Sequence, residues 1–113
     1  MKVENAMMTE DAMIKTILTA LAEPTRLAAV TVLADGGEHC VCEMMEKLGA
    51  SQSRMSRHMQ TLKQAGIVVD RRDAQWVRYR LNPAMEPHVR AVIDAVIAAQ
   101  AAEAHERNER EVA

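Results

Sequence analysis

The sequence predicts a mainly α chain with a β-hairpin wing: a winged helix-turn-helix ordered α-α-α-α-β-β-α, paired as a homodimer through its N- and C-terminal helices. Three observations carry this. Apolar residues recur at helical spacing in several separated stretches. The tight turn LGAS joins one short helix to the longer run SQSRMSRHMQTLKQAG. Two short extended runs, IVVDRR and WVRYRLN, then follow before a last apolar helix.

The elements follow in order. Residues 7–22 read as a first helix, with Met13, Ile14, Ile17, Leu18 and Leu21 on one side. Pro24 suits the first turn of a second helix, PTRLAAVTVLAD, which stops at Gly36-Gly37. A third covers roughly 41–48 and ends at Gly49. Ser51 is a suitable N-cap for the fourth, which Gly66 ends; Met55, Met59, Leu62 and Ala65 line its apolar side. In the hairpin, joined by Asp73-Ala74-Gln75, Val77, Tyr79 and Leu81 alternate with Arg78 and Arg80. Pro83 opens the last helix, whose apolar set is Met85, Val89, Val92, Ile93, Val96 and Ile97. Residues 1–103 form one DNA-binding and dimerisation domain, and 104–113, AHERNEREVA, a charged, disordered tail. The apolar faces of the terminal helices are expected to pack against a second copy; capping the monomer's own core is the alternative.

Composition narrows the function. The chain has 113 residues, no Phe, one Trp, one Tyr and nine Met, so its core is aliphatic and thioether. No apolar run approaches the roughly 18 residues of a membrane span, and the N-terminus lacks a signal-peptide stretch; a cytoplasmic protein without membrane attachment is expected. The net charge of −2 hides an asymmetry. Residues 51–80 hold seven basic residues and two acids, net +5, against −7 for the remainder. A basic segment in an acidic chain suits a polyanion such as double-stranded DNA, a solvated charged face being the alternative.

The recognition helix is expected at 51–65. Gln pairs with adenine, Arg with guanine, and Ser with bases or phosphates. Gln52, Ser53, Ser56, Arg57 and Gln60 are the candidate groove contacts, with Arg54 and Lys63 closer to phosphates. Arg71, Arg72, Arg78 and Arg80 in the wing would straddle a neighbouring phosphate backbone or reach into the minor groove. His58 reads as a partly buried packing residue, and Trp76 as packing at the hairpin's base.

The segments AEPTRLAAVTVL and HCVCEMMEKLGASQSRMSRHMQTLKQAGIVVDRRDAQWVRYRLNP resemble the ArsR/SmtB family of metal-responsive bacterial repressors over roughly residues 16–97. The telling pieces are EPTR at 23–26, CVCE at 40–43, SQSRMSRHMQTLKQAGIV at 51–68 and WVRYRLNP at 76–83. The resemblance implies a dimeric winged-helix repressor that holds operator DNA without ligand and releases it on binding a metal or metalloid. A CVC pair looks like the arsenic-sensing branch, in which Cys40 and Cys42 take As(III) or Sb(III) as inducer, with no permanent cofactor.

The residues support the same position. Thiolates suit soft, thiophilic ions. In a regular helix, i and i+2 are rotated by about 200°; in a strand they share a face some 6–7 Å apart. Chelation by both therefore needs an irregular helix start, at the foot of the helix-turn-helix. Inert, buried cysteines are the alternative. Met45 stands where that branch often has a third cysteine, so the third ligand is open: a non-cysteine donor, an exogenous thiol such as glutathione, or water. His39, a conceivable zinc ligand, reads as an exposed polar residue. The zinc site that other branches place on the last helix is judged absent: Asp94 and His105 keep the spacing, but Val92 and Asn108 stand where acids belong. A same-fold repressor sensing Cd(II), Pb(II), Zn(II) or oxidants through the same cysteines is the alternative function; an i, i+2 pair rarely closes on itself without strain. An enzyme is not expected: CxC is not CxxC, and no phosphate loop or Ser/His/Asp arrangement is present.

Overall fold

A computed structural model describes residues 13–112. The part of the first predicted helix at 7–12 lies outside them. Helix α1 spans Met13–Leu21, and the chain bends by 92° into α2, Pro24–Val32, continued by a 3-10 turn, Leu33–Asp35. Strand β1, His39–Cys40, runs straight into α3, Val41–Leu48. Then come α4, Gln52–Gln64; β2, Val68–Asp73; β3, Trp76–Leu81; and α5, Pro87–Val112.

The EPTR stretch makes the first bend. Glu23 caps α2 by accepting from the Arg26 N–H at 2.9 Å, and Pro24 fills the first helical position, where a missing N–H costs nothing. The Arg26 guanidinium turns back and donates to the Ala20 carbonyl at 2.7 Å, satisfying an orphan acceptor at the end of α1.

The helix-turn-helix is closed by Gly49, whose φ of +65° ends α3 in the left-handed region that a side chain disfavours. Ser51 then caps α4, its hydroxyl accepting from the Arg54 N–H at 3.3 Å. Met55, Met59 and Leu62 on α4 are fully buried with Ile17, Val30, Leu33, Met44, Ile67 and Val68. Each large apolar side chain so buried contributes on the order of 1.5–3 kcal/mol.

The hairpin is a three-stranded sheet in the order β1-β3-β2, not a two-stranded ribbon. β2 and β3 pair antiparallel from Val68↔Leu81 to Asp73↔Trp76, so Asp73 belongs to the strand and the turn is Ala74-Gln75. β1 adds two rungs on the other edge of β3, His39↔Tyr79 and Cys40↔Arg78. Tyr79 and Leu81 are buried and Arg80 exposed, as the alternation predicts. Trp76 opens β3 at the hairpin's tip, not its base, because the turn Ala74-Gln75 immediately precedes it.

Residues 84–113 form a separate unit dominated by α5. That helix opens at Pro87 rather than Pro83, with the Glu86 carbonyl accepting from Val89 and Arg90. It also continues through 104–112, where the sequence predicted disorder. Good helix formers, Glu and Arg, and the i, i+4 pairs Glu106–Arg110 and His105–Glu109 favour helix there. No single helix among the described residues is long and apolar enough to cross a membrane.

Candidate nucleic-acid interface and cysteine site

Helix α4 sorts its residues by face. At about 100° per residue, Gln52, Ser56, Gln60, Ser53 and Arg57 fall within an arc of about 140° that excludes the buried Met55, Met59 and Leu62. Gln52, Ser53, Arg57 and Gln60 are exposed and Ser56 half-buried, so all five point outward together. Ser53 lies 3.4 Å from the Ser51 hydroxyl. Arg54 is exposed to one side of this arc.

His58 occupies the edge between the faces. Its side chain is 15% exposed, with Nδ1 3.2 Å from the Arg26 guanidinium and 3.6 Å from the Glu23 carboxylate. It is therefore a polar junction between α4 and the start of α2. Partial burial opposes ionisation of Glu23. The Arg26 and Thr25 N–H groups and the charges of His58 and Arg26 outweigh it and hold the carboxyl below its ordinary 4.5.

The basic residues divide by partner. Arg71 is gripped by Glu38 through two hydrogen bonds, 2.9 and 2.7 Å, which raise the guanidinium's proton affinity and lower that of the carboxylate. Arg78 pairs with Asp73 at 3.0 Å and Lys63 with Asp70 at 3.1 Å. Arg54, Arg57, Arg72 and Arg80 have no carboxylate partner among the described residues. They are free to meet phosphates.

The cysteine pair spans the junction of β1 and α3. Cys40 is the N-cap of α3, with φ −69° and ψ 143°, so it is extended while Cys42 is helical. That break in geometry overcomes the i, i+2 problem. The Cα atoms are 5.2 Å apart and the two sulfurs are joined as a disulfide. Cys40 Sγ also accepts from the Cys42 N–H at 3.3 Å, a sulfur in the capping role of a serine oxygen. Cys40 is 8% exposed and Cys42 is exposed, so one side of the pair is open to solvent.

His39 corrects the reading of it as an exposed residue. It is half-buried between two carboxylates, Nε2 2.9 Å from Asp35 and Nδ1 2.6 Å from Glu43. These bonds, Asp35's first, raise its pKa and leave neither ring nitrogen free to ligate. Met45 is half-buried. Among the described residues no group of three or more His, Cys, Asp or Glu side chains could hold a metal ion. Asp94 is paired with Arg90 and His105 with Glu109. The sequence reading missed Glu38 and Arg26. Glu38 meets Arg71 across 33 residues, beyond any local signal, whereas His39 and Glu43 at i, i+4 were within reach of one.

A capped, outward-facing polar helix on a helix-turn-helix, followed by an arginine-bearing hairpin, defines a winged helix-turn-helix DNA-binding regulator. Solved structures agree. HlyU from Vibrio cholerae superposes with a TM-score of 0.66 at 33% identity, covering 77% of this chain and 90% of that one. The homodimeric winged helix-turn-helix domain of Mb0332 from Mycobacterium bovis gives 0.68 at 25%, covering 81% and 82%. Residues 23–69 match the family described as bacterial regulatory protein, arsR family. The arsenic resistance transcriptional regulators ArsR1 and ArsR2 of Pseudomonas putida are 42% and 40% identical, over 72% and 74% of this chain. The chain belongs to the ArsR family. The matched stretch spans 63% of ArsR1 and 72% of ArsR2. The arsenical resistance operon repressor of Escherichia coli is 40% identical over 66% of this chain and 63% of its own length.

Proposed function

We propose that this chain is a transcriptional repressor responsive to As(III) and Sb(III). As a homodimer it binds operator double-stranded DNA, and it releases the DNA when the metalloid binds Cys40 and Cys42. The observation that carries this is the meeting of the two sulfurs at the first turn of α3, one of them open to solvent. Relatives named as arsenic resistance regulators support the inducer class. The exposed apolar stripe Met13, Ile14 and Leu18 on α1 supports the dimer, as does the homodimeric neighbour.

The chemistry requires reduced thiols. The disulfide is first opened by a thiol reductant, which is itself oxidised as it supplies two electrons and two protons. Each cysteine then displaces one hydroxyl of As(OH)3, the thiol proton leaving with it as water. The third position keeps hydroxide or takes an exogenous thiol, since the described residues offer no third thiolate. Gln52, Ser53, Ser56, Arg57 and Gln60 enter the major groove. Arg54, Arg72 and Arg80, unpaired among the described residues, meet the backbone directly, and Arg71 and Arg78 meet it while shared with Glu38 and Asp73. A ligand that prefers an altered start of α3 biases the support of α4, and operator affinity falls by the same coupling.

A second reading rests on the same closeness of the two sulfurs. Peroxide would take two electrons from the two thiols, joining them and yielding two waters, and the closed pair would be the released state. Fluorescence anisotropy of operator-like DNA with reduced protein separates these readings when arsenite, antimonite, cadmium, lead, zinc and peroxide are added in turn. Release by arsenite and antimonite, lost in Cys40→Ser/Cys42→Ser, is the expected result. Release that persists unchanged in the double variant rules the cysteine site out.

A further inference from the structure

We propose that Glu38 is a positioning residue that couples the cysteine pair to the wing, so that inducer binding is read by Arg71 and Arg78 as well as by the recognition helix. This rests on Cys40 and Cys42 being the inducer site. Glu38, His39 and Cys40 together hold both strands of the wing. The backbone of His39 and Cys40 pairs with Tyr79 and Arg78 on β3. Two residues before the first cysteine, Glu38 reaches over to β2 and grips Arg71 with a two-pronged bond. Arg71 and Arg78 are themselves opposite one another in the ladder. Like charges so placed repel, and carboxylates from two different places quiet them: Asp73 within the hairpin on Arg78, and Glu38 from the cysteine segment on Arg71.

Cys40 thus has two loyalties. Its backbone is a rung of the wing's sheet, and its sulfur caps α3 and meets Cys42. A ligand that resets Cys40 resets Glu38 two residues away, and the wing follows through that bond. An exposed ion pair adds little to stability, so its removal leaves the fold in place and tests the coupling itself.

Trp76, the sole tryptophan, sits at the hairpin tip and reports wing movement without a label. Reduced wild type, Glu38→Gln and the charge exchange Glu38→Arg/Arg71→Glu are titrated with arsenite. Three quantities are followed: Trp76 emission, the loss of titratable thiols and, for the first two proteins, operator release. Wild type is expected to show a saturable Trp76 change in step with the loss of two thiols. In Glu38→Gln the thiols are still consumed, but the Trp76 change is clearly reduced, the two β1–β3 rungs being the route that remains. Its affinity ratio without and with arsenite falls at least about fivefold, the lower end of ordinary allosteric couplings. The exchange variant regains the Trp76 change. Full release by Glu38→Gln, or wild type leaving DNA with Trp76 silent, overturns the coupling while the inducer reading stands. Thiols that arsenite does not consume, or DNA that it does not release from wild type, overturn the inducer reading and the coupling with it.

Discussion

Glu23 serves three partners: the start of α2 through the Arg26 N–H, the Arg26 side chain, and His58 on α4. Replacing a capping side chain with alanine costs about 0.5–2 kcal/mol, and Glu23→Ala is expected to lose that much at neutral pH by urea denaturation. The carboxyl's folded pKa lies below its ordinary 4.5, so its contribution is present above that value and fades as pH falls through the folded pKa. The stabilities of wild type and Glu23→Ala should therefore converge in acid; a gap that stays constant with pH would mean the charge is irrelevant. At the same scale, sequence spacing placed Ser51, Gly49 and the outward arc of α4, because caps and period are local properties. The contacts of Glu38 with Arg71 and of Arg26 with His58 are set by tertiary approach and left no trace in neighbouring residues.

The wing and α4 divide the DNA-binding charge unevenly. Arg80 is exposed and unpaired among the described residues, whereas Lys63 is already engaged by Asp70. Each phosphate contact adds about 0.9 to the slope of log affinity against log salt. Arg80→Gln is expected to reduce that slope by roughly this amount, and Lys63→Gln by clearly less. Equal slopes in all three proteins would remove Arg80 from the interface. The alternation of Val77, Tyr79 and Leu81 made β3 readable from sequence. β1 escaped notice because two residues, His39 and Cys40, show no period, and their partners lie near residue 79. The extension of α5 through 104–112 escaped for another reason: a charged run was taken as fraying, although its i, i+4 charges stabilise helix.

For the whole molecule, the order of the helices, the hairpin and the winged helix-turn-helix followed from the sequence, β1 excepted, and a homodimer is the assembly proposed for it. Met13, Ile14 and Leu18 are 45%, 38% and 51% exposed in the single chain, while Ile17 on the same helix is 2%. Leu18→Asp should thus dissociate the dimer, giving a folded monomer by sedimentation with at least tenfold weaker operator binding. Ile17→Asp should unfold it instead. An undiminished dimer in Leu18→Asp would move the interface elsewhere. The proposed function depends most on a site that spacing alone could not settle: the sulfurs of Cys40 and Cys42 meet because one is extended and the other helical. X-ray absorption at the arsenic edge of reduced, arsenite-loaded protein tests this directly. Sulfur neighbours on arsenic in wild type, replaced by oxygen alone in Cys40→Ser/Cys42→Ser, are the predicted result; an all-oxygen shell in wild type that has released its DNA would contradict it.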